Sequence, residues 1–333
     1  MYNLDLAVID QLSVSVPIAQ RLLGCKVLFY CHFPDKLLST RAPAGGGEAD
    51  PSQIAAQSRR QLSLVKRLYR APFDALEERT TGCADLVLVN SNFTRQVFAA
   101  AFPSIARAPT VLYPTVSLAA LPAEESAAER ECLPLAEADR ARRLVVSLNR
   151  FERKKDVMLA LEAYAVVRDR YPAAYAQTRL VLAGGYDPLV AENVEYYEEL
   201  RRRRDALGLA DSVVLLPNFT NLQRTALLRR AACLVYTPQN EHFGIVPVEA
   251  MYCAVPVVAA NSGGPLESVV DGVCGLLCPP TADAFAAAIS RIVLDPALRA
   301  SMGRAAHQNA LDRFSFSTFA AQLNAAVAQL CPQ

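Results

Sequence analysis

The sequence predicts an α/β chain of the doubly wound type, with parallel sheets divided between two domains. Three observations carry that expectation. The apolar runs are short and continuous rather than alternating, which is the pattern of strands covered by helices on both faces. Those runs alternate with segments of helical character along most of the chain. The chain has 333 residues, 52% of them hydrophobic, which is more than one core usually serves.

In chain order, LDLAVID (4–10), KVLFYCH (26–32), ADLVLVN (84–90) and PTVLY (109–113) read as strands of a first domain. A buried-type strand follows Met1 almost at once, so the first sheet is expected to begin partway through and the first domain to be incomplete. Residues 41–58, RAPAGGGEADPSQIAAQS, read as a flexible surface insertion. Residues 114–141 are rich in Ala, Glu and Pro and contain no strand, so the domain boundary falls there. The second series is RRLVVSLN (142–149), TRLVLAG (178–184), DSVVLLP (211–217), CLVYTP (233–238) and VPVVAAN (255–261). Helices are expected over 155–171, 190–207, 221–231, 282–294 and 315–330. The expected organisation is a first domain over 1–118, a linker over 119–141 and a second domain over 142–312. A C-terminal helix, 313–333, would pack back toward the first domain.

Charge narrows the function classes. Lys and Arg number 34 against 33 Asp and Glu, a net charge of +1, so nothing global points to a nucleic-acid partner. The run RRRRD (201–205) follows EYYEEL (195–200) and reads as a solvated helix face. Nine cysteines are scattered without a Cys-x-x-Cys pair, so a zinc site is not expected, and the thiols suit a cytosol-facing protein. No apolar run reaches the roughly 18 residues of a membrane span. No signal peptide is expected at the amino terminus.

Ligands of open α/β sheets sit at the carboxyl ends of the strands, and five polar clusters fall at such ends here. In NRFERKKD (149–156), Arg150 leaves a strand and Lys155 is expected to open the next helix. A planar fork and a point charge near a helix start suit a diphosphate, although the same residues also read as a solvated basic turn. In AGGYD (183–187), Gly184 and its neighbour allow close backbone approach, or form an ordinary turn. NEHFGIVPVEAM (240–251) places Phe243, Gly244 and Ile245 in a loop entering a helix, with Glu241 before it and Glu249 in its expected first turn. The helix dipole alone favours an acid at Glu249; Glu241 has no such explanation. NSGGPLES (261–268) repeats the pattern with Gly263, Gly264 and Glu267. In YCHFPD (30–35), His32 ends a buried strand and is expected to face the crevice between the domains, as a structural or a catalytic residue. Together these residues suit a nucleotide-sugar diphosphate, with carboxylates for sugar hydroxyls.

As a set, Glu241-x(7)-Glu249, Arg150 with Lys155, SGGPLE (262–267) and RFSFSTFAAQL (313–323) resemble the GT-B glycosyltransferases that carry a Glu-x(7)-Glu motif. LFYCHFPDKLL, LVNSNFT, NRFERKKD, AGGYD and TPQNEHFGIVPVEAM are similar, more narrowly, to the dolichol-pathway α-1,3/1,6-mannosyltransferases. That resemblance implies a GT-B fold of two Rossmann-like domains and a GDP-mannose donor. It implies a dolichol-diphosphate-linked acceptor carrying one mannose and two chitobiose sugars, extended by two mannoses in turn for N-glycosylation. It also implies retained configuration, no required metal or cofactor, a place on the cytosolic face of the endoplasmic reticulum membrane, and room for a complex with other mannosyltransferases of the pathway. By the same resemblance Arg150 and Lys155 neutralise the leaving GDP, and the amides of Phe243, Gly244 and Ile245 bind its phosphates. Glu249 holds the ribose, Glu241 the mannose hydroxyls, and His32 contacts the mannose. Gly184, Gly263, Gly264 and Glu267 complete the donor site.

Two readings stay open on the sequence: a competent transferase, or a donor-binding fragment with impaired catalysis. A nicotinamide-dependent dehydrogenase is set aside, because QLSVSVPIAQ after the first strand lacks the Gly-x-Gly-x-x-Gly turn.

Overall fold

A computed structural model describes residues 4–38, 63–116 and 126–331. The expected insertion at 41–58 and the first part of the expected linker lie outside the described residues. The chain divides into two compact units, Met1–Thr115 with Arg313–Gln333, and Val116–Asp312.

The first unit contains β1 (Leu6–Asp10), α1 (Ser15–Leu23), β2 (Lys26–Cys31), α2 (Asp35–Leu38), α3 (Leu64–Gly82), β3 (Leu86–Val89), α4 (Asn92–Ala101) and β4 (Thr110–Val111). Its sheet runs β1-β2-β3-β4, with every pair parallel. The unbroken apolar run of β2 has a simple cause, because both faces are covered. Val27 and Phe29 join a core with Val16, Val97 and Phe98, while Leu28 joins Leu86, Leu88 and Leu112. Against that second cluster pack Phe319, Leu323 and Val327 of the C-terminal helix, Phe316–Leu330.

The second unit contains α5 (Ala127–Glu131), β5 (Arg143–Leu148), α6 (Val157–Arg170), α7 (Pro172–Gln177), β6 (Thr178–Gly184), α8 (Ala191–Ala206) and β7 (Val213–Pro217). It continues with α9 (Asn221–Arg230), β8 (Ala231–Tyr236), α10 (Ile245–Tyr252), β9 (Val257–Ala260), α11 (Pro265–Ser268), β10 (Gly275–Cys278), α12 (Ala282–Leu294) and α13 (Pro296–Phe314). The sheet is parallel in the order β10-β9-β8-β5-β6-β7. From β5 the chain builds outward through β6 and β7, then returns to the other side of β5 and builds through β8, β9 and β10. The order therefore reverses between β5 and β8, which is where open sheets form a crevice at their carboxyl edge.

Strand β10 is absent from the sequence-based expectation. Its four residues lie between a Gly-rich turn and a Pro-Pro pair and carry no periodic signal. Pairing with β9 makes it a strand, in register from Gly275 opposite Val257. A Cβ at Gly275 would lie 2.1 Å from the Val257 carbonyl oxygen, so only glycine fits there.

The described part of 119–141 is folded onto the second unit. Ser126 and Glu129 form a reciprocal cap on α5. The Gln223 side chain donates to the Cys132 carbonyl at 3.0 Å. The buried Arg230 guanidinium donates to the carbonyls of Asp139, Arg140 and Arg142.

Candidate active site

The crevice between β5 and β8 is held together by three ties across the sheet reversal. The Lys155 ammonium meets Glu241 Oε1 at 2.5 Å, with both side chains mostly buried. Thr237 Oγ1 donates to the Lys155 carbonyl at 2.8 Å. The Asp156 carboxylate accepts from the Gln239 side chain, while its burial pushes the Asp156 pKa up. Lys155 and Glu241 are 86 residues apart in sequence, and the pairing of β5 with β8 brings them into contact.

Local backbone geometry serves the same end. Lys155 closes a 3-10 turn, Arg153–Lys155, and does not open α6 as expected. The turn ends on Asp156 in the left-handed region, φ 46°. That conformation, which Asp adopts at lower cost than most residues, turns the chain sharply enough to aim Lys155 across to β8. Asn240 is left-handed for the equivalent reason before Glu241. Non-glycine residues held there cost about 1 kcal/mol or more, and they concentrate at functional sites.

The loops after β8 and β9 are stitched together. The Gly264 amide donates to the Glu241 carbonyl at 2.8 Å, and the Asn240 amide donates to Ser262 Oγ at 3.1 Å. This close approach explains both glycines. A Cβ at Gly263 would lie 2.6 Å from the Glu241 carbonyl oxygen, and one at Gly264 would lie 2.1 Å from that of Phe243. Gly263 also has φ +63°, where a side chain is strained in any case. Gly184 plays the same part after β6, with its Cβ position 1.6 Å from the Asn149 carbonyl oxygen. Glu267 lies in the first turn of α11, as expected, and is half-buried.

Helix α10 begins at Ile245 behind Gly244, and no side chain caps it. The helix dipole adds partial positive charge at this end. Phe243 is buried and anchors the loop. Glu249 corrects one expectation: it lies beyond the first turn, whose positions carry no acid. The dipole therefore does not account for it. Its carboxylate is paired instead with the Arg224 guanidinium from α9.

Arg150 stands apart from the Lys155–Glu241 contact. Its guanidinium is largely exposed and pairs with Glu152 at 2.9 Å. Glu152 also pairs with Lys154 at 3.1 Å. His32 belongs to the first unit. It follows β2, with Nε2 2.8 Å from Asp10 Oδ1. The Asn90 amide donates to the His32 carbonyl, and the His32 amide donates to Gln11 Oε1, so the ends of β1, β2 and β3 fix the backbone there.

Sequence reading missed Tyr236 and Arg224. Tyr236 is buried at the end of β8, and its phenol is hydrogen-bonded to the Glu241 carboxylate. Burial, reinforced by that carboxylate, raises the phenol pKa well above its ordinary value, so it stays a neutral donor. Its ring also lies 3.2 Å from where a Gly244 side chain would begin. A tyrosine at a strand end beside TPQNE was the available signal for Tyr236. Arg224 carried none, being 25 residues upstream of Glu249.

The family model for "Glycosyl transferases group 1" matches residues 136–309. An α-1,3/1,6-mannosyltransferase ALG2 of Dictyostelium discoideum is 41% identical over 338 residues, covering 98% of this chain and 76% of the relative. The Homo sapiens protein of the same name is 41% identical over 331 residues, covering 98% and 73%. Among solved structures, Anabaena HepE with UDP aligns with a TM-score of 0.72 at 22% identity, over 98% of this chain and 79% of that one. Sucrose-phosphate synthase from Thermosynechococcus elongatus aligns at 0.67 and 24% identity, over 96% and 77%. These likenesses identify the fold as GT-B.

Proposed function

The chain belongs to the ALG2 family of α-1,3/1,6-mannosyltransferases, within the group 1 glycosyltransferases, and from that premise we propose that GDP-mannose is its donor and a dolichol-diphosphate-linked mannosyl-chitobiose its acceptor. The observation that carries the donor reading is the Lys155–Glu241 contact beside the uncapped start of α10. It sets a cation, a helix start without a side-chain cap and a carboxylate at one sheet reversal, which is what a sugar diphosphate needs.

In this reading Lys155 exchanges part of its contact with Glu241 for the diphosphate. Arg150 adds a second positive charge from the rim. The amides of Phe243, Gly244 and Ile245 take phosphate oxygens. The Glu249 carboxylate accepts from ribose hydroxyls and is held in place by Arg224. Glu241 accepts from mannose hydroxyls while Tyr236 fixes its orientation. Gly184, Gly263 and Gly264 let backbone come close, Glu267 adds a carboxylate at the second loop, and His32 keeps its proposed contact with the mannose.

Transfer breaks the bond between the anomeric carbon and the β-phosphate oxygen, whose electron pair leaves on GDP. The acceptor hydroxyl oxygen bonds to the anomeric carbon, and its proton is released. Charge grows on the diphosphate as the bond breaks, so preorganised cations and amides stabilise the transition state more than the ground state. Two mannoses are added in succession, with retained configuration, on the cytosolic face of the endoplasmic reticulum. The HepE structure, whose fold this chain shares, is named for bound UDP, in keeping with a nucleotide-sugar donor.

The test is thermal-shift binding of GDP, UDP and ADP to the 333-residue chain. GDP is expected to raise the melting temperature where UDP and ADP do not. Lys155→Ala is expected to abolish that shift and to lower transfer by about 10²–10³. A Lys155→Ala protein that melts and transfers like the parent would sink the assignment.

A further inference from the structure

At the carboxyl end of β1, two adjacent side chains reach the same short segment. Asp10 Oδ1 lies 2.8 Å from His32 Nε2. Gln11 Oε1 accepts from the His32 amide at 3.0 Å. Gln11 Nε2 donates to the Phe33 carbonyl at 2.9 Å and to Asp35 Oδ1 at 2.5 Å. Successive residues of a strand point to opposite faces, so a strand running on past Asp10 would send these two side chains apart. Gln11 instead leaves the strand in the left-handed region, φ 63°. Gly, Asn and Asp adopt that conformation most readily, and Gln is not among them. Backbone held there against its preference concentrates at functional sites.

Other groups fix the same segment. The Asn90 side-chain amide donates to the His32 carbonyl at 3.0 Å, and Glu77 accepts from the amides of Asp35 and Lys36. The Tyr30 ring makes a T-shaped contact with the imidazole at 4.8 Å between centroids, and its hydroxyl is anchored on the Leu112 carbonyl. The His32 and Asp10 side chains are themselves 50% and 70% exposed. A contact between groups this exposed orients the ring only weakly by itself. The backbone beneath the ring must therefore carry much of the positioning, and Gln11 bonds it at both His32 and Phe33. A carboxylate accepts, so Nε2 carries the hydrogen in the Asp10 contact. The other nitrogen of the neutral ring, Nδ1, is then an acceptor, and it has no partner among the described residues.

We propose that Gln11 is a positioning residue for His32. Its amide fixes the backbone from which the imidazole projects, so that with Nε2–H on Asp10 the Nδ1 lone pair accepts a hydrogen bond from a hydroxyl of the sugar. The inference rests on the proposed contact of His32 with the mannose and adds what sets that contact.

The test is Gln11→Asn in the 333-residue chain. Asparagine suits the left-handed backbone but is one methylene shorter, so it removes the contacts without straining the turn. Urea midpoints and circular dichroism verify that the variants fold like the parent. The chain has three histidines, so histidine-selective 15N labelling reads the ring directly, with His32→Gln identifying its signal. At about pH 8, where an ordinary imidazole is neutral, the parent is expected to hold His32 in the Nε2–H form and Asp10→Ala to lose that preference. Gln11→Asn is expected to shift or broaden the His32 signal and to leave those of His242 and His307 in place. With GDP-mannose and a dolichol-diphosphate-linked mannosyl-chitobiose, Gln11→Asn is expected to lower kcat about tenfold with the KM for the donor nearly unchanged. In a His32→Gln background the same substitution is expected to cost less than about twofold, because nothing is left to position. A parent His32 in the Nδ1–H form, a Gln11→Asn signal that matches the parent, or an equal loss of kcat with and without His32 overturns the proposal. A His32→Gln protein that transfers like the parent sinks the mannose contact itself. The imidazole signals need no substrate, so the two failures are told apart.

Discussion

At Gly184 the backbone of β6 passes so close to Asn149 that a methyl group would occupy the carbonyl oxygen's own space, at 1.6 Å. This is a steric requirement set by a neighbouring strand end. The glycine pair was reason enough to expect close backbone approach, but not to say which backbone would approach. Gly184→Ala is expected to destabilise the fold by about 3 kcal/mol or more, since two buried strands must separate. Gly82→Ala is the control: its new Cβ would meet only Ile105, at 3.5 Å, and the cost is expected to stay within about 1 kcal/mol. Urea midpoints of the two variants decide the matter. The candidate site residues divide along the same line. Glu241, Lys155 and the glycines were legible because residue type and strand-end position suffice to nominate them. Tyr236 and Arg224 were not, because their claim rests on which carboxylate they touch.

Most elements of the second unit followed from apolar periodicity, although β10, α7 and the long α13 did not, and α3 is the instructive case in the first. Its sequence holds an ordinary amphipathic stripe, and the usual inference buries the apolar side. In the structure the polar residues of its carboxyl-terminal part are inward, because the short helix α2 presents its first amides to Glu77. That burial raises the Glu77 pKa from the ordinary 4.5 to about 7, with the nearby Asp35 carboxylate adding to it and the two amide hydrogen bonds opposing it. The folded chain keeps the Glu77 proton at pH values where the unfolded chain has lost it. Stability contributed by this group therefore falls as pH rises from about 4.5 toward 7 and is flat above. Glu77→Gln is expected to flatten that decline. The check is the urea midpoint of parent and variant between about pH 5 and 7; equal slopes in the two proteins would mean that Glu77 does not titrate there.

For the whole molecule, the governing fact is that each unit has buried clusters of its own. One gathers Phe29, Phe98 and Phe102 in the first unit, another Tyr164, Phe151 and Phe285 in the second. Each unit is large enough to melt cooperatively. Differential scanning calorimetry is expected to resolve two transitions, and GDP is expected to raise the one that belongs to Val116–Asp312. A GDP shift confined to the other transition would contradict a donor site at the β5–β8 reversal.

The sequence by itself determined the class of fold, most strand positions and the kinds of residue at the strand ends. These are consequences of local chemistry. A strand covered on both faces must be apolar throughout, and a loop near a diphosphate calls for glycine, a cation or a free amide. The tertiary structure alone decided partnership. It set Lys155 on Glu241, Arg224 on Glu249 and Tyr236 beneath Glu241, and it turned the apolar side of α3 outward. The reason is the order of the sheet. Once β8 returns to lie beside β5, residues 86 positions apart share one crevice. No pattern confined to neighbours in the chain carries that information.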